Sequence, residues 1–264
     1  MIEIIIILAL AGSIIAGLWD LRTTEVPDPL PIGMVVAGIA FWMASWLLGG
    51  DLNSLLLSLG VGTALLAIGL LLYKKGQWGG ADAWILAAIG YMVPVYRGEL
   101  FIVPYLFNFM LVSIAYTVVY SLVIGLLHAS VFRHVAKDFA QNIRILAGAP
   151  VIVLVVLLVA SAQVPQIIGL APTIVPLIIL LVLFWRYAVV IERRVFKKKI
   201  PTGRLSVGDV LENGNWVGLT ERQVRKLKRE KRYVVIKDGM RFVPVFAIAL
   251  VLTLLFGNLF FVIF

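Results

Sequence analysis

The stretch Ile4-Ile5-Ile6-Ile7-Leu8-Ala9-Leu10-Ala11-Gly12-Ser13-Ile14-Ile15-Ala16-Gly17-Leu18-Trp19-Asp20 decides the fold class. It runs without a charge from Ile4 to Trp19 and stops on a carboxylate. A helix over it is apolar all round, as in a membrane span. A membrane β-strand would alternate apolar and polar residues, which this run does not do. Similar runs recur, and spans are expected at residues 3–19, 30–48, 53–73, 82–96, 103–127, 147–163, 166–188 and 242–263. Only Ala162-Gln163-Val164-Pro165 parts the sixth from the seventh, so these two also read as one interrupted element. The chain has 264 residues, of which 62% are hydrophobic and 14% charged. Its mean hydropathy of +1.04 is too high for a soluble core of this length. The fold class is an all-α polytopic membrane protein of about eight transmembrane helices, with a small cytoplasmic α+β insertion before the last helix.

The first run has small residues at Ala11-Gly12-Ser13, as a secretory signal would. It lacks a basic flank and carries Glu3 instead, so a retained helix with its N-terminus outside is expected. Charge then sets the orientation. With both termini outside, the inside segments hold Arg22, Lys74, Lys75, Arg133, Lys137, Arg144 and all basic residues from Arg186 to Arg241. Only Arg97 falls outside, and the excess of Lys and Arg belongs in cytoplasmic loops. The net charge of +9 is therefore a topology signal. A nucleic-acid role has neither aromatic interleaving nor a recognisable module behind it.

The expected organisation is a membrane core over residues 1–127, an amphipathic helix with further spans over 128–188, a basic α+β module over 189–241 and a last span over 242–264. Between His128 and Ile145, Val131, Phe132, Val135, Phe139 and Ile143 fall near helical spacing, with Arg133, Lys137 and Asp138 elsewhere on the wheel. This predicts a helix lying along the membrane surface. In the basic module, Glu212-Asn213-Gly214-Asn215 and Lys237-Asp238-Gly239 read as hairpin turns. Thr220-Glu221-Arg222-Gln223 reads as a capping box opening a helix to about Arg232. The basic run from Arg222 to Arg232 is either a solvated helix face or a grip on anionic lipid.

The chemistry narrows by elimination. There is no cysteine, hence no disulfide, thiolate metal site or cysteine nucleophile. His128 and His134 are six residues apart and do not share a helix face, and no His-Glu-x-x-His zinc motif is present. Neither a Gly-x-Ser-Gly element nor a Gly-x-x-x-x-Gly-Lys phosphate loop occurs. Two carboxylates remain, Asp20 at the end of the first run and Asp82 in Gly79-Gly80-Ala81-Asp82. If the spans alternate, both face the cytoplasm. Ionisable groups at hydrocarbon are functional-site candidates. Each also has a plainer reading. Asp20 with Arg22 beside it marks a membrane boundary, and Asp82 caps a helix N-terminus. Taken together they suit acid–base work by a carboxylate pair sharing one proton, with Gly79 and Gly80 permitting close backbone approach.

Gly79-Gly80-Ala81-Asp82 resembles the GxGD signature of membrane aspartyl proteases. Asp20-Leu21-Arg22, followed by Val26-Pro27-Asp28, is similar to the first-aspartate segment of prepilin peptidases. The chain looks closest to the archaeal prepilin and preflagellin peptidases, whose cytoplasmic module Leu205-Ser206-Val207-Gly208-Asp209-Val210-Leu211 also resembles, as do Gly218-Leu219-Thr220-Glu221 and Asp238-Gly239-Met240-Arg241-Phe242-Val243-Pro244. Ala81 replaces the second glycine of the signature, and Trp84 stands where many members have a basic residue. The resemblance implies Asp20 and Asp82 as catalytic residues, supported by Gly79, Gly80, Ala81, Arg22 and Pro27. It implies no cofactor and no metal. It further implies cleavage, at the cytoplasmic face of the cell membrane, of substrates with class III signal peptides: a short basic leader ahead of an apolar helix. Glu25 and Asp28 are then either leader-binding carboxylates or solvated boundary residues. Membrane lipid is the other expected partner. Two further readings stay open. One is a small-solute or ion transporter with Asp20 and Asp82 as coupling groups, although such proteins favour midplane sites and internal repeats. The other is a non-catalytic assembly protein of a membrane filament machine.

Overall fold

The computed structural model of the chain describes residues 2–212, 218–259 and 261. In chain order its elements are α1 (Ile2–Thr23), α2 (Pro29–Leu47), α3 (Leu52–Lys74), α4 (Gly80–Met92), β1 (Val95–Tyr96), β2 (Glu99–Leu100) and α5 (Ile102–Leu127). They continue with α6 (Ser130–Gln141), α7 (Ile143–Ser161), α8 (Ala171–Ile191), β3 (Lys197–Pro201), β4 (Val210–Leu211), α9 (Glu221–Glu230), β5 (Tyr233–Lys237) and α10 (Pro244–Phe256). Among the described residues six helical stretches are long and apolar enough to cross a membrane: α1, α2, α3, α5, α7 and the stretch Pro165–Phe196 that contains α8. The fourth and eighth expected spans are helices of 13 residues each, α4 and α10.

The short length of α4 has a physical reason. Thirteen residues rise about 20 Å, less than the ~30 Å of a hydrocarbon core. Nearly every residue from Ala83 to Met92 is buried in protein, against α1, α2 and α3. Small residues permit this. A Cβ at Gly38 would sit 2.9 Å from the Tyr91 carbonyl carbon, one at Gly69 2.8 Å from Ala83 Cα, and one at Gly62 would run into the Tyr91 ring. Close backbone approach through small residues is a main source of helix packing in lipid. The C-terminal carbonyls of α4 lack helical partners and find side chains instead. Ser58 Oγ donates to the Tyr91 carbonyl at 2.6 Å and Trp42 Nε1 to the Met92 carbonyl at 3.1 Å.

Residues fall into two compact units, the first made of Met1–Thr117 and Ile200–Phe264 and the second of Val118–Lys199. In the first, α1 packs on α10 and α2, and the outer faces of the helices are studded with exposed Ile, Leu and Val, such as Ile7 and Leu18 on α1 and Val36 on α2. A surface so apolar belongs in lipid. β1 and β2 form a tight hairpin, pairing Val95 with Leu100 and Tyr96 with Glu99. Arg97 and Gly98 carry it with φ of 54° and 81°, the left-handed pair that a two-residue turn demands. Buried Asn108 of α5 ties down the end of α10, donating to Thr253 Oγ1 and the Gly257 carbonyl and accepting from Leu259 N.

The same unit holds a small α+β piece. β4 and β5 pair antiparallel, Val210 with Lys237 and Leu211 with Ile236, and Leu205, Leu219, Val224 and Val234 form its core. The expected capping box is present: Thr220 Oγ1 accepts from Gln223 N, and Gln223 Oε1 from Thr220 N at 2.8 Å. α9 ends at Glu230, close to the expected Arg232. The turn expected at Glu212-Asn213-Gly214-Asn215 lies outside the described residues from Asn213 on. The one expected at Lys237-Asp238-Gly239 does not join two strands. Lys237 ends β5, and the chain goes straight to α10, because Val243 is drawn into the core and Pro244 sets the helix start.

In the second unit, α6 is the expected amphipathic helix with a narrower apolar stripe. Val131, Val135 and Phe139, four residues apart, pack on Tyr187, Val190 and Ile191 of α8. Phe132 and Ile143, expected on that face, are exposed. Phe132 lies one position off the stripe, and Ile143 opens α7 after the break at Asn142. Asp138 pairs with Arg186 through two bonds of 2.6 and 2.9 Å. α7 and α8 are separate helices that pack together, joined through Ala162-Gln163-Val164 and a 3-10 turn from Pro165 to Leu170.

Candidate active site

Asp20 belongs to the last turn of α1, on a stripe with Ser13, Ala16 and Gly17, all buried. Gly17 is what lets α10 begin so close. A Cβ there would lie 3.1 Å from Pro244 Cα. This approach brings Val243 N to within 3.1 Å of Asp20 Oδ2, to which it donates. Arg22, placed beside Asp20 by sequence, is exposed. The cation whose charge acts on Asp20 is Arg241, two residues before Val243. Its position is held by Tyr116, whose hydroxyl donates to the Arg241 carbonyl at 2.6 Å.

Asp82 is the third residue of α4 and not its N-cap. Gly79 takes the N-cap position, extended at φ −73° and ψ 157°. Asp82 Oδ2 reaches back to accept from Gly79 N at 2.9 Å, the acidic half of a capping box. The carboxylate therefore has one oxygen held by backbone. The other, Oδ1, is buried without a hydrogen-bond partner. An unsatisfied buried acceptor is costly and marks a place where a ligand atom or water is wanted.

Asp20 is 5% exposed and Asp82 8%. The charge of Asp20 acts on Asp82, and both line one cleft of about 840 Å³. Gly79, Gly80, Ala81, Glu25 and Asp28 line it too, whereas Arg22 and Pro27 do not. Pro27 works locally, its carbonyl accepting from Leu30 N at the entry to α2. One wall of the cleft comes from the α+β piece, through Gly208, Asp209, Gly218 and the segment from Ile236 to Met240. Gly208 has φ of 96° and sits so close to Glu25 that a Cβ on it would be 2.9 Å from Glu25 Oε1. Around the floor, Trp78 meets Phe109 and Phe246 edge-on, and Phe242 meets the same two rings, so the residues before Gly79 and before Val243 share one aromatic cluster. The described lining has six carboxylates, Asp20, Glu25, Asp28, Asp82, Asp209 and Asp238, against one cation, Lys237.

Sequence reasoning brought together Asp20, Asp82, Glu25 and Asp28 but missed Val243, Arg241 and Asp209. Alternation of spans offered a signal, since Pro244 opens the last helix on the side where α1 ends.

The sequence profile of the type IV leader peptidase family matches residues 7–130. No curated protein and no solved structure matches the chain. The long apolar helices and this match describe a multi-pass membrane protein. Residues 7–130, the segment that carries both buried aspartates of the cleft, are similar to the type IV leader peptidase family.

Proposed function

We propose that the chain is a membrane aspartyl endopeptidase of the GxGD type that removes the basic leader from prepilins or preflagellins at the cytoplasmic membrane face, with Asp20 and Asp82 as its catalytic pair. The observation that carries this reading is the pairing itself. Two carboxylates 62 positions apart in sequence are both buried and open into one cleft, and one of them has a free oxygen. Burying two full charges together is costly, so the pair holds one proton between them. The ionised carboxylate takes a proton from water as the water oxygen bonds to the scissile carbonyl carbon. The protonated one polarises the carbonyl oxygen and then passes its proton to the amine nitrogen as the C–N bond breaks. The pair titrates as a unit. An acidic cleft on a chain of net charge +9 suits a leader rich in Lys and Arg. A transporter would place its carboxylates on a pathway near the membrane midplane. These two instead sit in the last turn of one helix and the first turn of another.

The test is cleavage of a leader-bearing pilin precursor by membranes containing the full chain, with the cut mapped by mass spectrometry. The parent is expected to cut between leader and apolar helix. Asp20→Asn and Asp82→Asn are each expected to lose about 100- to 10,000-fold in rate while remaining membrane-inserted. No cut by a folded parent on several leaders would reject the proposal.

A further inference from the structure

The second unit carries a pocket that the proposed peptidase chemistry does not use. It has a volume of about 450 Å³ and is lined by Arg133, His134, Lys137 and Asp138 of α6 and by Arg193 and Arg194. The two arginines belong to a widened π-helical turn, Glu192–Phe196, that follows α8. Such turns are rare and frequently functional. The apolar stripe of α6, Val131, Val135 and Phe139, is spent on α8, which leaves its basic face turned to this pocket. Asp138 is already neutralised by its two bonds to Arg186. Among the described residues Arg133, Lys137, Arg193 and Arg194 have no ion-pair partner. Four exposed, unbalanced cations therefore converge where a surface helix meets the end of a membrane-crossing one. Exposed Phe132 precedes Arg133 in sequence, and exposed Ile143 opens α7 two residues after α6 ends. The charge calls for an anion, and the apolar neighbours call for one attached to an acyl chain.

We propose that this pocket binds the phosphate headgroup of an anionic glycerophospholipid. Arg193 and Arg194 hold the phosphate oxygens from the α8 side and Arg133 and Lys137 from the α6 side. The acyl chains run along the exposed apolar residues of α7, such as Ile143 and Val151. The inference is independent of the peptidase reading, since it involves neither aspartate of the cleft.

The test uses the full chain in a neutral detergent, titrated with phosphatidylglycerol, with phosphatidylcholine and with inorganic phosphate, and bound ligand is counted by native mass spectrometry. The parent is expected to retain phosphatidylglycerol in preference to phosphatidylcholine and to inorganic phosphate. Arg193→Gln/Arg194→Gln is expected to weaken retention about tenfold or more. Arg133→Gln/Lys137→Gln should act in the same direction and guards against a folding defect in the first pair. Lys74→Gln/Lys75→Gln at the end of α3 removes two exposed charges elsewhere and should leave retention unchanged. Equal retention of the two lipids would overturn the proposal, as would unaltered binding in both pocket variants or an equal loss in the Lys74/Lys75 control. Retention of inorganic phosphate with no lipid preference would assign the pocket to a free anion and equally overturn it.

Discussion

The carboxylate of Asp82 is positioned by a backbone N–H, and the residue supplying that N–H has no side chain. A Cβ on Gly79 would stand 3.1 Å from Asp82 Oδ2, the oxygen that Gly79 N holds. The flexible end of the aspartate would have to give way by a few tenths of an ångström, and under the proposed mechanism a displaced carboxylate reacts more slowly. At Gly80 the nearest neighbour of a new Cβ is Tyr73 at 3.8 Å, an ordinary contact. Gly79→Ala is therefore expected to lower kcat on the order of tenfold with KM little moved, while Gly80→Ala keeps parental kcat. Steady-state kinetics on a leader substrate separate the two, and equal behaviour of the variants would contradict the assigned geometry. Among four consecutive residues the structure thus splits Gly79 from Gly80, a distinction that the dipeptide alone conceals.

α4 is an interior helix, and its alignment depends on the glycines of its neighbours. Gly69 on α3 backs directly onto Ala83, the residue after Asp82, whereas Gly60 on the same helix faces open space. Overpacking a tight contact typically costs about 1–3 kcal/mol. Gly69→Ala is expected to destabilise the protein by that amount and to reduce cleavage, whereas Gly60→Ala leaves thermal unfolding in detergent unchanged. Similar midpoints for the two would show that α4 is not seated as described. This is also the scale at which the sequence was most and least legible. Long apolar runs located α1, α2, α3, α5 and α7 to within a few residues, because lipid demands continuous apolar length. The same rule placed a span at 82–96, and the 13 residues of α4 are too few to confirm it. A helix wrapped in protein need not match the bilayer, and its apolar run looks no different from a lipid-facing one. Asp82 read as an N-cap because Asp commonly is one, but the chain uses Gly79 there and puts the acid one turn in. Arg22 was the nearest cation in sequence to Asp20, but Arg241, 221 residues away, is the one whose charge acts on it. Contacts of that separation leave no local trace.

At the scale of the whole molecule, the notable property is a charge inversion. A chain of net charge +9 presents a cleft with six carboxylates and one lysine. Glu25 and Asp28 are its exposed members on the segment joining α1 to α2, and the α+β piece supplies Asp209 and Asp238 from the facing wall. Exposed charges of this kind set encounter and positioning more than chemistry, and salt screens them. Glu25→Gln/Asp28→Asn is expected to raise KM for a Lys/Arg-rich leader about threefold to tenfold at low ionic strength, with kcat nearly constant and the difference shrinking in high salt. Unchanged KM at low salt would reduce both residues to solvated boundary groups. Sequence placed these two acids near Asp20 but left the role of the α+β piece open, because nothing local ties Gly208 to Glu25.

The central claim is that Asp20 and Asp82 act as one unit, and a double-mutant cycle on leader cleavage measures this directly. Rates are compared for the parent, Asp20→Asn, Asp82→Asn and the double variant, each confirmed folded and membrane-inserted. Groups that work together are strongly non-additive. The expected result is a loss of about 100- to 10,000-fold in each single variant and no further loss in the double. Substantial cleavage by either single variant, or losses that multiply in the double, would contradict the account.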